Sequence, residues 1–276
     1  MESVLLAQDQ DKKALLCELT WAILCKQWLL NNGRCIWLVA TLLSCPCPSF
    51  SWVVATVSIV GHLHDEIELL VPDSGIHPEY SLLDPIENTL IGSTLSDNEE
   101  FKIGLIKLMN GLVVNSPDVV PIARKVKRII KVLVSYMWPV PEHFICGWYQ
   151  KLLITLERLA EIDESCQRMV DEKIHWMLIT VLEMGVFFRE ESGDDPDNVS
   201  AIVTIETIVK ILDKLCQCSK KAREDMGTLF DREVNMFCSA LLNYVKATEA
   251  CVAGARVYAH IRAGKSKYRF NINMGI

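Results

Sequence analysis

Asp118–Trp138 reads DVVPIARKVKRIIKVLVSYMW, and its two faces decide the fold class. Ile122, Val126, Ile129, Ile130, Leu133 and Met137 recur at the helical period and make one apolar face. Arg124, Lys127, Arg128 and Lys131 recur at i, i+3, i+4 and i+7 on the opposite face, with Lys125 beside them. Pro121 stands near the first helical position, where its missing N–H costs nothing. Pro139 and Pro141 end the segment, because a proline forces its predecessor out of helical conformation. The stretch therefore predicts one long amphipathic helix from Asp118 to Trp138.

The same pattern repeats on both sides. Stop signals fall at Ser96-Asp97-Asn98, Asn115-Ser116-Pro117, Pro139-Val140-Pro141, Asp163-Glu164-Ser165, the acidic stretch Glu190–Asn198, and Ser219. They lie roughly 20–28 residues apart, so a pair of helices with its turns spans roughly 40–50 residues, the period of a helical-hairpin array. Ser96 and Glu99 have capping-box spacing. Phe101, Leu105, Leu108 and Leu112 give the next helix its apolar face, with Gly104 and Gly111 allowing close packing. Further helices are predicted over Glu142–Ile162, Glu164–Arg189, Val199–Cys216 and Lys220 to about Arg262. Strict alternation of the kind that strands need is almost absent, so the fold class is all-α.

The N-terminal part differs. Asp11–Leu30 reads as a helix that is apolar around most of its circumference and ends at Asn31-Asn32-Gly33. Between Arg34 and His62 no charged residue occurs: CIWLVATLLSCPCPSFSWVVATVSIVG. The length meets the nominal transmembrane criterion, but Pro46 and Pro48 divide it into halves too short to span alone. Three readings stand: two short buried helices joined by a proline turn, a kinked or re-entrant membrane anchor, and a translated polypyrimidine tract. The last draws on LLSCPCPSFS, whose codons are pyrimidine-rich, and on Ala263-Gly264-Lys265-Ser266, which a splice-donor consensus read in frame can encode. The expected organisation is an apolar segment of doubtful status over 1–61, a helical-repeat domain over 62–263, and a basic, disordered tail over 264–276. The raw ends of such a partial array predict aggregation of the isolated chain.

Composition bounds the function. Of 276 residues half are hydrophobic and 23% charged, so a sizeable core is available. The net charge of −7 argues against bulk nucleic-acid binding and leaves a local basic patch open. Eleven cysteines, an odd number, sit mostly inside apolar helical stretches, as do Cys146, Cys166, Cys238 and Cys251. Read as buried free thiols, they point to a reducing compartment, cytoplasm or nucleus. Glu2, Asp9 and Asp11 occupy the place of the basic region of a secretory signal.

No cluster names a chemistry. Gly264-Lys265-Ser266 has the end of a P-loop, but Ala259 stands where the loop needs glycine. Cys45-Pro-Cys47 and Cys216-Gln-Cys218 have one residue between cysteines, where zinc sites favour two or more, and His62, His64 and Asp65 add ligands only to the first pair. Unpaired thiols near a helix end are the plain reading. Cys146 lies one helical turn from His143, without the glycine-rich turn of an oxyanion hole. His175, between Ile174 and Trp176, reads as a packed histidine. Glu190–Asn198 reads as a mobile acidic connecting loop, and around Ser192 it lacks the pattern of a calcium loop. No cofactor, metal or catalytic residue is expected.

Roughly 20-residue helices with proline-marked turns, including Asp-Val-Val-Pro at Asp118–Pro121, resemble the armadillo and HEAT helical-repeat superfamily over Asp84–Arg262. The resemblance implies a curved stack of helical hairpins, a partial array here, whose concave face binds a partner. A globular helical bundle is the alternative. The expected function is a non-enzymatic protein–protein interaction scaffold, a fragment or isoform of a larger repeat protein. Arg124, Lys127, Arg128 and Lys131 read first as the solvated outer face of a surface helix; they are also the candidate contact for an acidic protein partner, and pairing with a neighbouring helix is the remaining reading. Nucleic-acid phosphate is a lesser candidate, with Tyr136 and Trp138 the nearest aromatics for base stacking. A membrane-anchored helical protein using residues 34–62 is the alternative function, and an enzyme of unrecognised type a third.

Overall fold

The structure is a computed structural model that describes Leu83, Glu87 and residues 99–116, 118–137, 146–192 and 197–272. The readings on residues 1–61, on the proline turns at 46–48 and 139–141, and on His143 lie outside the described residues. All secondary structure among the described residues is helical: α1 Glu99–Asn115, α2 Val120–Lys125, α3 Lys127–Ser135, α4 Gly147–Leu159, α5 Asp163–Asp171, α6 Ile174–Ser192, α7 Asp197–Cys218, α8 Lys220–Gly227, α9 Asp231–Asn243 and α10 Thr248–Ile272. None of these helices is long and apolar enough to cross a membrane.

The chain forms two compact units, Met1–Ile129 and Ile130–Ile276, whose boundary falls inside α3. In the first, α1 buries Leu105, Ile106, Leu108, Met109 and Val113 completely. Its leucines are those of the sequence pattern. Between α1 and α2 the chain turns on its own polar groups. Ser116 Oγ donates to the Asp118 carbonyl at 2.6 Å, and Asp118 Oδ1 accepts the Val120 N–H at 2.9 Å. Pro121 then opens α2.

The expected single helix over Asp118–Trp138 is two helices. Val126 leaves helical conformation at φ −94°, ψ 45°. The reason is Glu87, a buried carboxylate 41 residues upstream of Arg128. Its oxygens accept the Arg128 N–H at 2.6 and 2.9 Å and the Ile129 N–H at 3.3 Å. These are amides at the start of α3, where a helix has no acceptors of its own and its dipole favours a negative charge. An external cap thus makes a new N-terminus cheaper than continuing the old helix.

The second unit holds α4–α10. Central among them is α7, which packs against α4, α5, α6, α8 and, most extensively, α10. Helix α6 also packs on α9, and α8 on α10. The core face of α7 (Ile205, Ile208, Val209, Ile211, Leu212 and Leu215) is fully buried. Helix lengths recur in order: short α5, longer α6, long α7, then short α8, longer α9, long α10. The starts of α4, α7 and α10 at Gly147, Asp197 and Thr248 are about 50 residues apart, near the upper end of helical-repeat periods.

Helix ends explain most departures from the sequence pattern. The helix expected over Glu164–Arg189 is split into α5 and α6 by Lys173, the one non-glycine residue with positive φ (61°) among the described residues. Glu172 N–H donates to the Arg168 carbonyl and Lys173 N–H to the Val170 carbonyl, both at 3.0 Å, closing α5 with a left-handed residue. Helix α4 starts at Gly147, with Cys146 extended at its N-cap position. Helix α6 continues to Ser192 and α7 begins at Asp197, so much of the expected acidic loop is helix. Helix α10 passes Arg262 and continues to Ile272, into the stretch expected to be a tail. Gly264 explains why it stays packed: a Cβ on Gly227 would come within 2.7 Å of the Gly264 Cα. Only glycines allow the backbones of α8 and α10 to approach so closely.

Candidate functional site

Arg124, Lys127, Arg128 and Lys131 are all exposed. They do not share one helix, because Val126 places Arg124 on α2 and the others on α3. Two are already engaged. The Arg128 Nη1 donates to the Glu87 carbonyl at 3.0 Å, and Lys131 Nζ lies 3.7 Å from Glu172 Oε1. The second pair is largely solvated and weak. Of the two aromatics nearest the stripe, Tyr136 is only 6% exposed and so offers no platform for a base, and Trp138 lies outside the described residues.

The structure assembles a second charged surface that the sequence reading did not single out. Helices α4, α7 and α10 line an open groove of about 560 Å³. Asp213 of α7, its side chain 4% exposed, accepts Arg256 Nε of α10 at 2.9 and 3.0 Å and pairs again with Nη2. Gln217 Nε2 donates to the same carboxylate at 2.7 Å. On the other side, Lys214 Nζ donates to Glu161 Oε1 at 2.9 Å and to the Glu157 carbonyl at 3.2 Å, tying α7 to the end of α4. Lys210 Nζ reaches Glu249 of α10 at 3.3 Å. Arg158 adds a 2.8 Å bond to Glu161 Oε2. Partial burial pulls the Glu161 carboxyl upward, but the hydrogen bond and charge of Lys214, then Arg158, outweigh it and hold Glu161 below the ordinary carboxylate value.

Side chains from one helix thus reach both neighbours along a charged ladder. Lys210, Asp213, Lys214 and Gln217 are spaced at i, i+3, i+4 and i+7 on α7. That spacing was visible in the sequence. Its significance was not, because its partners Glu157, Glu161, Glu249 and Arg256 lie 39 to 57 residues away in sequence. The groove combines these charged side chains with the smaller Thr248, Val252 and Ala253 of α10.

Elsewhere, His175 is packed as expected, 1% exposed, with Nε2 at 2.9 Å from Asp225 Oδ2. A small apolar groove of about 340 Å³ lies between α9 and α10, where Leu242 is 85% exposed. Among the described residues no three His, Cys, Asp or Glu side chains come together as a metal site. The cysteine reading needs correction. Cys166 is not a free thiol: it forms a disulfide with Cys218, across a Cα–Cα distance of 6.7 Å and 52 residues of sequence. Apolar periodicity placed Cys166 inside a helix and inside the core, but carries no information on which helix end it faces. Among the described residues Cys216, Cys238 and Cys251 are free thiols.

Comparison with known protein families, curated proteins and solved structures returns no match.

Proposed function

We propose that the chain is a non-enzymatic scaffold of armadillo/HEAT-like stacked helices, a piece or isoform of a longer repeat protein, that binds protein partners in cytoplasm or nucleus. The observation that carries this reading is the groove in which α7 is bridged to α4 on one side and to α10 on the other. Helices packed on both sides of α7 would offer a continuous recognition surface, which is how repeat arrays bind. The exposed cations of α2 and α3 supply a second contact for an acidic partner.

Proximity labelling with the full chain tests this. Partners recovered by the wild type should be lost on Lys210→Glu or on the paired reversal Arg124→Glu/Lys127→Glu, with helical content unchanged. A partner set indifferent to both reversals contradicts the reading.

A further inference from the structure

The Cys166–Cys218 pair is asymmetric in a way that bears on its chemistry. Cys166 of α5 is completely buried, whereas Cys218, the last residue of α7, is half-buried. A thiolate arriving from solvent therefore reaches Cys218 Sγ and not Cys166 Sγ. The surroundings also suit the opened state. Cys166 Sγ lies 3.9 Å from the Lys214 carbonyl oxygen, and Cys218 Sγ 3.6 Å from that of Leu215. Each sulfur, once reduced, has a backbone acceptor in place for its S–H, so neither redox state strands a buried donor. The Cα–Cα distance of 6.7 Å is at the long end of the usual disulfide range of about 4.4–6.8 Å, so opening the bond asks little movement of the two helices. The neighbouring thiol does not compete. Burial, then the Asp213 charge, pushes Cys216 up to about 12, so it stays protonated and inert near neutral pH.

We propose that Cys218 is a thiol-exchange site at which a small thiol of the glutathione class opens and recloses the bond to Cys166. In the first step a glutathione thiolate bonds to Cys218 Sγ. The S–S bond breaks, and its electron pair leaves on Cys166, which takes a proton from solvent. A second glutathione thiolate then attacks the glutathione sulfur of the mixed disulfide. It releases glutathione disulfide and the Cys218 thiolate, which is protonated in turn. Two glutathiones are oxidised while one protein disulfide is reduced, and glutathione disulfide drives the reverse. The mechanical consequence falls on the last turn of α7. That turn carries Gln217 and follows Lys214, both groove residues, and the disulfide pins it to α5.

The test is peptide mapping of the full chain equilibrated across glutathione/glutathione disulfide ratios and quenched by alkylation. Cys166 and Cys218 thiols should appear together as the ratio rises, with the glutathione adduct on Cys218. The oxidised protein should melt higher by roughly 5–10 °C, since a loop of this length is constrained in its unfolded state. Cys218→Ser should abolish that redox-dependent shift. A pair that stays closed, or stays open, at every ratio overturns the proposal. So does an adduct on Cys166, or a melting shift that survives in Cys218→Ser. Should that variant fail to fold, the adduct position on the wild type decides alone.

Discussion

His175 shows what one residue can and cannot announce. Its place between Ile174 and Trp176 marks it as packed, and it is. Its partner Asp225 lies 50 residues along the chain, in another helix, and no local pattern points there. Burial lowers the His175 pKa; Asp225 opposes that, while Lys221 and Lys173 lower it again. The folded value therefore lies below the unfolded one, near 6.5, and the unfolded chain binds the proton more tightly. The stabilisation is complete above about pH 6.5 and is lost as pH falls from there toward the folded value. Melting curves between pH 8 and pH 5 should show a loss of stability that is smaller in His175→Gln. Equal pH dependence in the two proteins would remove His175 from the account. The basic residues tell a similar story. Their exposure was legible from their position opposite the apolar face. The engagement of Arg128 by Glu87 was not, because a hydrogen bond between distant segments leaves no trace in periodicity.

At the scale of the element, helical content was legible and helix ends were less so. Apolar spacing continues unbroken through Val126 and through Lys173, since a helix break need not disturb which residues face inward. The breaks are set by other means. Glu87 caps α3, and Glu206 does the same for the segment entering α10, accepting the Lys246 and Ala247 N–H groups at 2.7 and 2.9 Å. Both act across some 40 residues of sequence. Glu87→Ala should remove the α3 cap and cost about 1–3 kcal/mol. Amide exchange at Arg128 and Ile129 should rise with it, and unchanged protection there would show that the cap contributes nothing. Lys173 is the opposite case, a local cost. A left-handed non-glycine residue is strained by about 1–2 kcal/mol. Lys173→Gly should therefore raise stability by about 1 kcal/mol in urea denaturation, after the entropy lost by the more flexible unfolded chain. A destabilised variant would mean that the lysine side chain outweighs its backbone.

At the scale of the whole molecule, the all-helical class was legible, because apolar residues recur at the helical period and strict alternation is almost absent. What the helices build together was not readable. The groove residues of α7 look like any solvated helix face until α4 and α10 supply the opposite charges. Three cations and four carboxylates from three helices interlock there, with Arg256 on Asp213, Lys214 on Glu157 and Glu161, and Lys210 on Glu249. A solvated pair such as Lys210–Glu249 adds little stability by itself. The value of these pairs is that they record which helices are neighbours. Zero-length carbodiimide coupling of the full chain reads that record directly, because it joins only an amine and a carboxylate already in contact. Lys214–Glu161 or Lys214–Glu157 links are expected between α7 and the end of α4, together with Lys210–Glu249 links between α7 and α10. Links from Lys210 and Lys214 to carboxylates on other helices instead would contradict the side-by-side arrangement of α4, α7 and α10 on which the proposed recognition surface rests.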